Sequence, residues 1–260
     1  MTVFSTTILG QASGYTPPLI KITRGEWHPE DPSKTIRHSS GILTECPCKY
    51  LDRFTDHGGR IREAYENAVV AAVKKLVPRD AVAIQLHIHV VSMGSGGLLQ
   101  DAMWLQKLFS QSTLPSHLHL HFVDTLYKTN ISFFKTLGNY AQEIVPTGIQ
   151  LEINAWGSYP ELQAALEAQA IKPNLAIGID TDEGTGDANV YQKTILGGDL
   201  EKVLFIQQEP KADGDIIFHV FHRQVFHRLE GSNSEPEHEP FNLSRVDEAA
   251  RYIETVGASF

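Results

Sequence analysis

From residue 61 onward the apolar positions change period repeatedly, and each change marks an element. Ile61, Ala64, Tyr65, Ala68, Val69, Ala72, Val73 and Leu76 recur at helical spacing, which predicts a helix over 61–76 that Pro78 stops. Residues 81–91 form a nearly continuous apolar run, the pattern of a strand buried on both faces. Helical spacing returns over 98–110. The alternation then recurs: a strand over 118–123 ending at Asp124, a helix over 131–144, a strand over 149–153, a helix over 159–170 closed by Pro173, a strand over 175–179 ending at Asp180, and a short helix over 190–196. Residues 203–207 and 216–221 read as two strands, and the turn Pro210-Lys211-Ala212-Asp213-Gly214 between them is short enough for an antiparallel hairpin. Residues 244–256 fit a terminal amphipathic helix with Ser244 as its N-cap.

Strands alternating with helices imply a Rossmann-like α/β fold: a mostly parallel sheet, helices on both faces, and a C-terminal antiparallel hairpin. Residues 1–55 are rich in Pro, Thr and Ser and poorly periodic. They read as an N-terminal extension or cap, with short strands near 19–22 and 41–43. Residues 56–230 make the α/β domain, and 231–260 a polar linker and the last helix. Ligands of such sheets bind at the carboxyl ends of the strands. That rule selects Gly94 to Gly97, Asp124, residues 154–156 and residues 180–187.

The run His89-Val90-Val91-Ser92-Met93-Gly94-Ser95-Gly96-Gly97 resembles the first motif of class I S-adenosylmethionine-dependent methyltransferases, an apolar strand followed by Gly-x-Gly and a helix. The resemblance covers roughly residues 61–227. It implies that Gly94, Ser95, Gly96 and Gly97 let the backbone approach S-adenosylmethionine where a Cβ would intrude. It implies that Asp124 accepts hydrogen bonds from the ribose hydroxyls, that Asn154, Ala155 and Trp156 flank the adenine, and that Asp180 stands on the acceptor side as the candidate catalytic residue. The chain departs from the family's pattern at Ser92, where an acidic residue is usual, and at Leu98, where a third alternate glycine is common. No Asn-Pro-Pro-Tyr type motif follows the fourth strand, so methylation of base or glutamine amino groups gains no support. The dinucleotide fingerprint fails at Leu99, and the nucleophile elbow lacks its first glycine.

Composition narrows the partners. The net charge of −9 argues against broad nucleic-acid binding, and no apolar run is long enough for a membrane span. The two cysteines, Cys46 and Cys48, are too few for a disulfide framework, and no leader-like stretch opens the chain, so a cytoplasmic location is expected. The 12 histidines are patterned: His87 and His89 alternate on one strand, and His117, His119 and His121 on the next. They read as sheet residues bonded to their neighbours, and no metal is assigned. The acidic loop 180–187 could take a divalent cation or be solvated, but it does not fit the calcium loop of helix–loop–helix proteins. The expected activity is therefore S-adenosylmethionine binding and methyl transfer to a small-molecule or protein acceptor. Two alternatives stay open: a non-catalytic Rossmann-like protein-interaction module, and a metal-dependent hydrolase.

Overall fold

The computed structural model describes residues 3–10, 22–24, 34–38, 41–45, 51–78, 86–179, 202–210, 216–224 and 237–260. In chain order these form β1 (Phe4–Leu9), β2 (Ile22–Arg24), β3 (Lys34–His38), β4 (Gly41–Thr44), α1 (Asp56–Leu76), β5 (His87–Met93), α2 (Leu99–Phe109), β6 (His117–Val123), α3 (Ser132–Ile144), β7 (Gln150–Trp156), α4 (Tyr159–Ala168), β8 (Leu175–Ile179), β9 (Lys202–Pro210), β10 (Ile216–Gln224), β11 (Glu237–Asn242) and α5 (Val246–Ser259). Asp180, the acidic loop, the expected helix over 190–196 and the cysteine pair lie outside the described residues.

The eight-stranded main sheet runs β1-β7-β6-β5-β8-β9-β10-β11. Strands β5 to β9 are mutually parallel, and β9, β10 and β11 form an antiparallel meander. The fold is thus α/β with parallel strands at its centre and the expected antiparallel hairpin at its C-terminal side. From β5 the chain builds outward through β6 and β7, then returns to build β8 and β9 on the other flank. The strand order reverses beside β5, and an open α/β sheet places its crevice at such a switch point. Strands β2, β3 and β4 make a separate antiparallel sheet.

One face of the main sheet is apolar along its whole length. Ile88, Val90, Leu118, Leu120, Phe122, Leu151, Ile153, Leu175 and Ile177 pack there under α1, α2, α3 and α5. The other face is divided. Its carboxyl half holds Val91, Met93, Val123 and Trp156 beneath Leu162 and Leu166 of α4. Its amino half carries the histidines. Among the described residues, no helix is long and apolar enough to cross a membrane.

Several boundaries differ from the expectation. Helix α1 starts at Asp56, because the Thr55 hydroxyl accepts the Gly58 N–H at 3.1 Å and caps it. Gly58 and Gly59, poor helix formers, hide that start from periodicity. The segment read as an extension contributes β1 to the main sheet, paired antiparallel to β7 from Phe4↔Ala155 to Leu9↔Gln150. With a partner on each side, β7 continues to Trp156. Part of the stretch read as a polar linker is β11, whose Glu237, Glu239 and Pro240 suit an edge strand. Ser244 does not cap α5; its hydroxyl donates to Asn242 Oδ1, and the helix begins after a single 3-10 turn.

Candidate functional site

The end of β5 is bound into a turn with an alternating backbone. Gly94 has φ +61°, Gly96 +50° and Leu98 +65°. The third of these is a leucine in the left-handed region, a strain of about 1–2 kcal/mol for an L-residue. Leu98 is fully buried, and its N–H donates to Ser95 O at 3.0 Å, so packing and the turn hold it there. The two inner glycines differ in surroundings. Among the described residues, a Cβ added at Gly96 meets nothing within 4 Å. One added at Gly97 would collide with the Thr44 hydroxyl and lie 2.7 Å from Thr44 O. Gly96 therefore faces space that no described residue fills, and Gly97 is where strand β4 crosses the turn, with Thr44 N–H donating to Gly97 O at 2.9 Å.

Asp124 sits at this turn, as expected from its place after β6, but its carboxylate also has a structural role. Its Oδ2 accepts the Gly96 N–H at 2.9 Å, and its Oδ1 accepts the Leu126 N–H at 2.8 Å, capping a 3-10 turn over Thr125–Lys128. An ionised carboxylate has roughly four acceptor positions, so two remain for ligand hydroxyls. Tyr127, from that 3-10 turn, donates its hydroxyl to Gly96 O at 3.0 Å. Burial, with Asp124 and Asp101 nearby, pushes the Tyr127 phenol well above its ordinary range and keeps it a donor. The Gly96 peptide is thus clamped at both its N–H and its carbonyl.

Beneath the turn, Ser95 donates to Ser92 O at 2.9 Å, and Ser92 donates to Asp101 Oδ1 at 2.7 Å. Trp104 Nε1 donates to the same oxygen at 3.0 Å. Burial raises the Asp101 carboxyl to about 6 against these donors. An acid is therefore present under the strand end, supplied by α2 rather than by position 92. Beside it lies a buried ionic network. Arg53 reaches Glu45 at 2.9 Å, Glu66 at 2.6 Å and Gln100 Oε1 at 3.0 Å, and Lys107 reaches Glu66 at 2.9 Å. Burial opposes the Arg53 charge, but Glu45 and Glu66 outweigh it and raise its pKa. Because Glu45 follows Thr44 and Gln100 lies in the first turn of α2, this network braces the glycine turn from behind.

The remaining expected site residues separate. Asn154 and Ala155 lie within β7, not after it. Ala155 is fully buried in the main core, and Asn154 Oδ1 accepts the Ser5 hydroxyl at 2.8 Å. Trp156 ends β7 beside Val123, and its Nε1 has no partner among the described residues. The structure thus brings together Gly94 to Gly97 and Asp124, with Trp156 at the next strand end. Ala155 points away from this edge.

On the amino half of the same face as Trp156, the histidines form a stacked array. His87 stacks on His117 at 4.3 Å and His89 on His119 at 4.1 Å between ring centroids. His119 Nδ1 lies 2.9 Å from Glu152 Oε2, His87 Nδ1 lies 2.8 Å from His119 Nε2, and His89 Nδ1 lies 3.1 Å from His121 Nε2. Burial first, and neighbouring histidines second, lower His121 to about 3 and His89 to about 4. These inner rings are neutral at pH 7.

No protein-family model matches the chain, and no curated protein matches it. Among solved structures it is similar to a Burkholderia thailandensis protein described as an uncharacterized ACR of the COG1565 superfamily, at 13% identity and a TM-score of 0.27. That alignment covers 77% of this chain and 41% of the other, so the chain spans well under half of that protein's length.

Sequence reasoning missed Tyr127, Asp101 and Thr44. Asp101 had a weak signal, an acidic residue among the apolar positions of α2. Tyr127 and Thr44 had none, since only the fold brings them to Gly96 and Gly97.

Proposed function

We propose that the chain binds S-adenosylmethionine at the carboxyl edge of β5 and β6 and belongs to the methyltransferase-like group of Rossmann-like proteins. The observation that carries this reading is the backbone of the turn. Positions 94, 96 and 98 all take the left-handed conformation, which is the conformation of three alternate glycines although the third is Leu98. The leucine at 98 is therefore compatible with a turn of that shape. Space over Gly96 that no described residue fills supports a ligand there, and Asp124 keeps acceptor capacity for ribose hydroxyls. Trp156 at the end of β7, buried beneath α4, lies at the neighbouring strand end, and contact of its ring edge with the adenine is part of this proposal. Methyl transfer needs alignment of an acceptor with the sulfonium methyl more than it needs reactive side chains. Asp180, directly after β8, remains the proposed acceptor-side residue.

Calorimetric titration with S-adenosylmethionine and S-adenosylhomocysteine tests the reading. Saturable binding is expected, and Asp124→Ala should weaken it by about 1.5–3 kcal/mol, the range for a hydrogen bond to a charged group. A folded wild-type protein that binds neither ligand sinks the proposal and leaves the protein-interaction module as the better reading.

A further inference from the structure

We infer that strand β1 is a self-association edge, on which a second copy of this chain pairs through its own β1, antiparallel, about a twofold axis at Thr7. The inference is independent of the glycine turn and of the ligand proposed there. The two edges of the main sheet are unlike. Strand β11 carries Glu237, Glu239 and Pro240, which discourage pairing with another chain. Strand β1 reads Phe-Ser-Thr-Thr-Ile-Leu, with no charge and no proline. Among the described residues, β7 is the one strand that pairs with it. An unprotected edge of this kind is a template for a further strand.

The hydrogen bonds show which backbone groups of β1 point outward. The Gly10 N–H donates across to Ile149 O at 2.9 Å, whereas the Gln150 N–H turns the other way, to Ser116 O at 2.8 Å. Leu9 and Gln150 are therefore a facing pair that exchanges no hydrogen bonds. By alternation Phe4, Thr6, Ile8 and Gly10 bond to β7, and the N–H and C=O groups of Ser5, Thr7 and Leu9 point away from the sheet. The side chains of these three residues are exposed. Leu9, at 69%, is the most exposed large apolar residue among those described.

A second copy fits this edge better than an unrelated strand does. Thr7 is the middle of the three outward residues. A twofold axis there sets Thr7 opposite the partner's Thr7 and Ser5 opposite the partner's Leu9. Each such pair exchanges two main-chain bonds, about six in all. Any other register leaves at least one of the three without its counterpart. Threonine facing threonine is a favourable cross-strand pair, and each Leu9 is covered by the partner's Ser5 and Thr7. On the opposite face the half-buried Phe4, stacked on Phe134, comes opposite the partner's Gly10, which has no side chain to obstruct its ring. An unrelated strand would match the backbone alone. The net charge of −9 makes two copies repel, and an uncharged strand is where they approach with least repulsion. The two copies of β7 would run antiparallel, so the two glycine turns would lie on opposite edges of the joined sheet and neither would be blocked.

Sedimentation velocity and light scattering of the full chain between about 5 and 500 µM test this. A strand-edge interface is small, so a reversible dimer is expected, with the mass rising from one chain towards two over that range. Thr7→Lys sets two ammonium groups opposite each other at the axis, and Thr7→Pro removes an outward N–H; both should stay monomeric. Their melting temperatures at low concentration should match the wild type, because Thr7 is exposed and its N–H points away from β7. Amide hydrogen exchange reads the register. Ser5, Thr7 and Leu9 should exchange at least about tenfold more slowly in concentrated than in dilute wild-type protein, while Thr6 and Ile8 should not change. A wild type that is monomeric at 500 µM overturns the inference. So does a dimer that persists in folded Thr7→Lys, or one in which the three outward amides gain no protection, because another surface then joins the copies.

Discussion

Replacing the two inner glycines of the turn separately distinguishes a ligand surface from a packing contact. At Gly96, alanine meets no atom of the described residues within 4 Å, so the penalty from them is its left-handed backbone at φ +50°. That strain is about 1–2 kcal/mol. For a domain of this size, a melting temperature lowered by about 2–8 °C follows. At Gly97, alanine would run into Thr44, and the strand carrying Thr44 must move. Overpacking of this kind is about 1–3 kcal/mol, and the Thr44 N–H to Gly97 O bond, worth about 1 kcal/mol, is put at risk as well. Gly97→Ala should therefore be the more destabilising. Ligand binding should rank the other way. The added methyl at Gly96 occupies the space where the ligand is proposed to lie, and Gly96→Val, β-branched and worse suited to positive φ, should abolish binding in a protein that still folds. Urea denaturation midpoints and S-adenosylhomocysteine calorimetry on the same preparations give both rankings. Unchanged affinity in folded Gly96→Ala would refute the placement of the ligand over Gly96. Greater instability in Gly96→Ala than in Gly97→Ala would refute the packing argument.

Acid should unfold the protein through the inner histidines. Their folded pKa values, about 3 for His121 and about 4 for His89, lie below the ordinary 6.5, so the unfolded chain takes up protons first and stability falls as pH drops below 6.5. His121 alone contributes a slope of up to about 1.4 kcal/mol per pH unit, read from urea midpoints between pH 7.5 and 4.5. Asp101, raised to about 6, acts with the opposite sign between pH 6 and 3.8, so the contrast is His121→Phe, which should flatten the wild-type curve; equal curves would show that His121 is not the responsible group. Arg53→Gln leaves Glu45 and Glu66 facing each other with less compensating charge, and a loss of about 3–5 kcal/mol is expected in chemical denaturation. A loss below about 1 kcal/mol would mean that Arg62, which lies 3.3 Å from Glu45, and Lys107 suffice.

The sequence by itself determined most of the parallel core. Strands β5, β6 and β8 and helices α2, α3 and α4 were legible because burial on one face or both imposes a period that a single chain displays. The glycine turn and Asp124 were legible for a related reason, as punctuation at the ends of apolar strands. Tertiary structure decided what those residues touch. Asp124 reads as a ligand carboxylate, yet it also ties the Gly96 and Leu126 N–H groups, because β6 ends beside β5. Edges were the other gap. Strands β1 and β11 show little pattern of their own, since an edge strand takes its stability from the neighbour it pairs with, and β7 could be read only as far as Ile153 without β1 beside it. Gly96 and Gly97 are adjacent and chemically identical, and Thr44, delivered by a strand more than fifty residues earlier in the chain, makes one a packing contact while no described residue lies against the other.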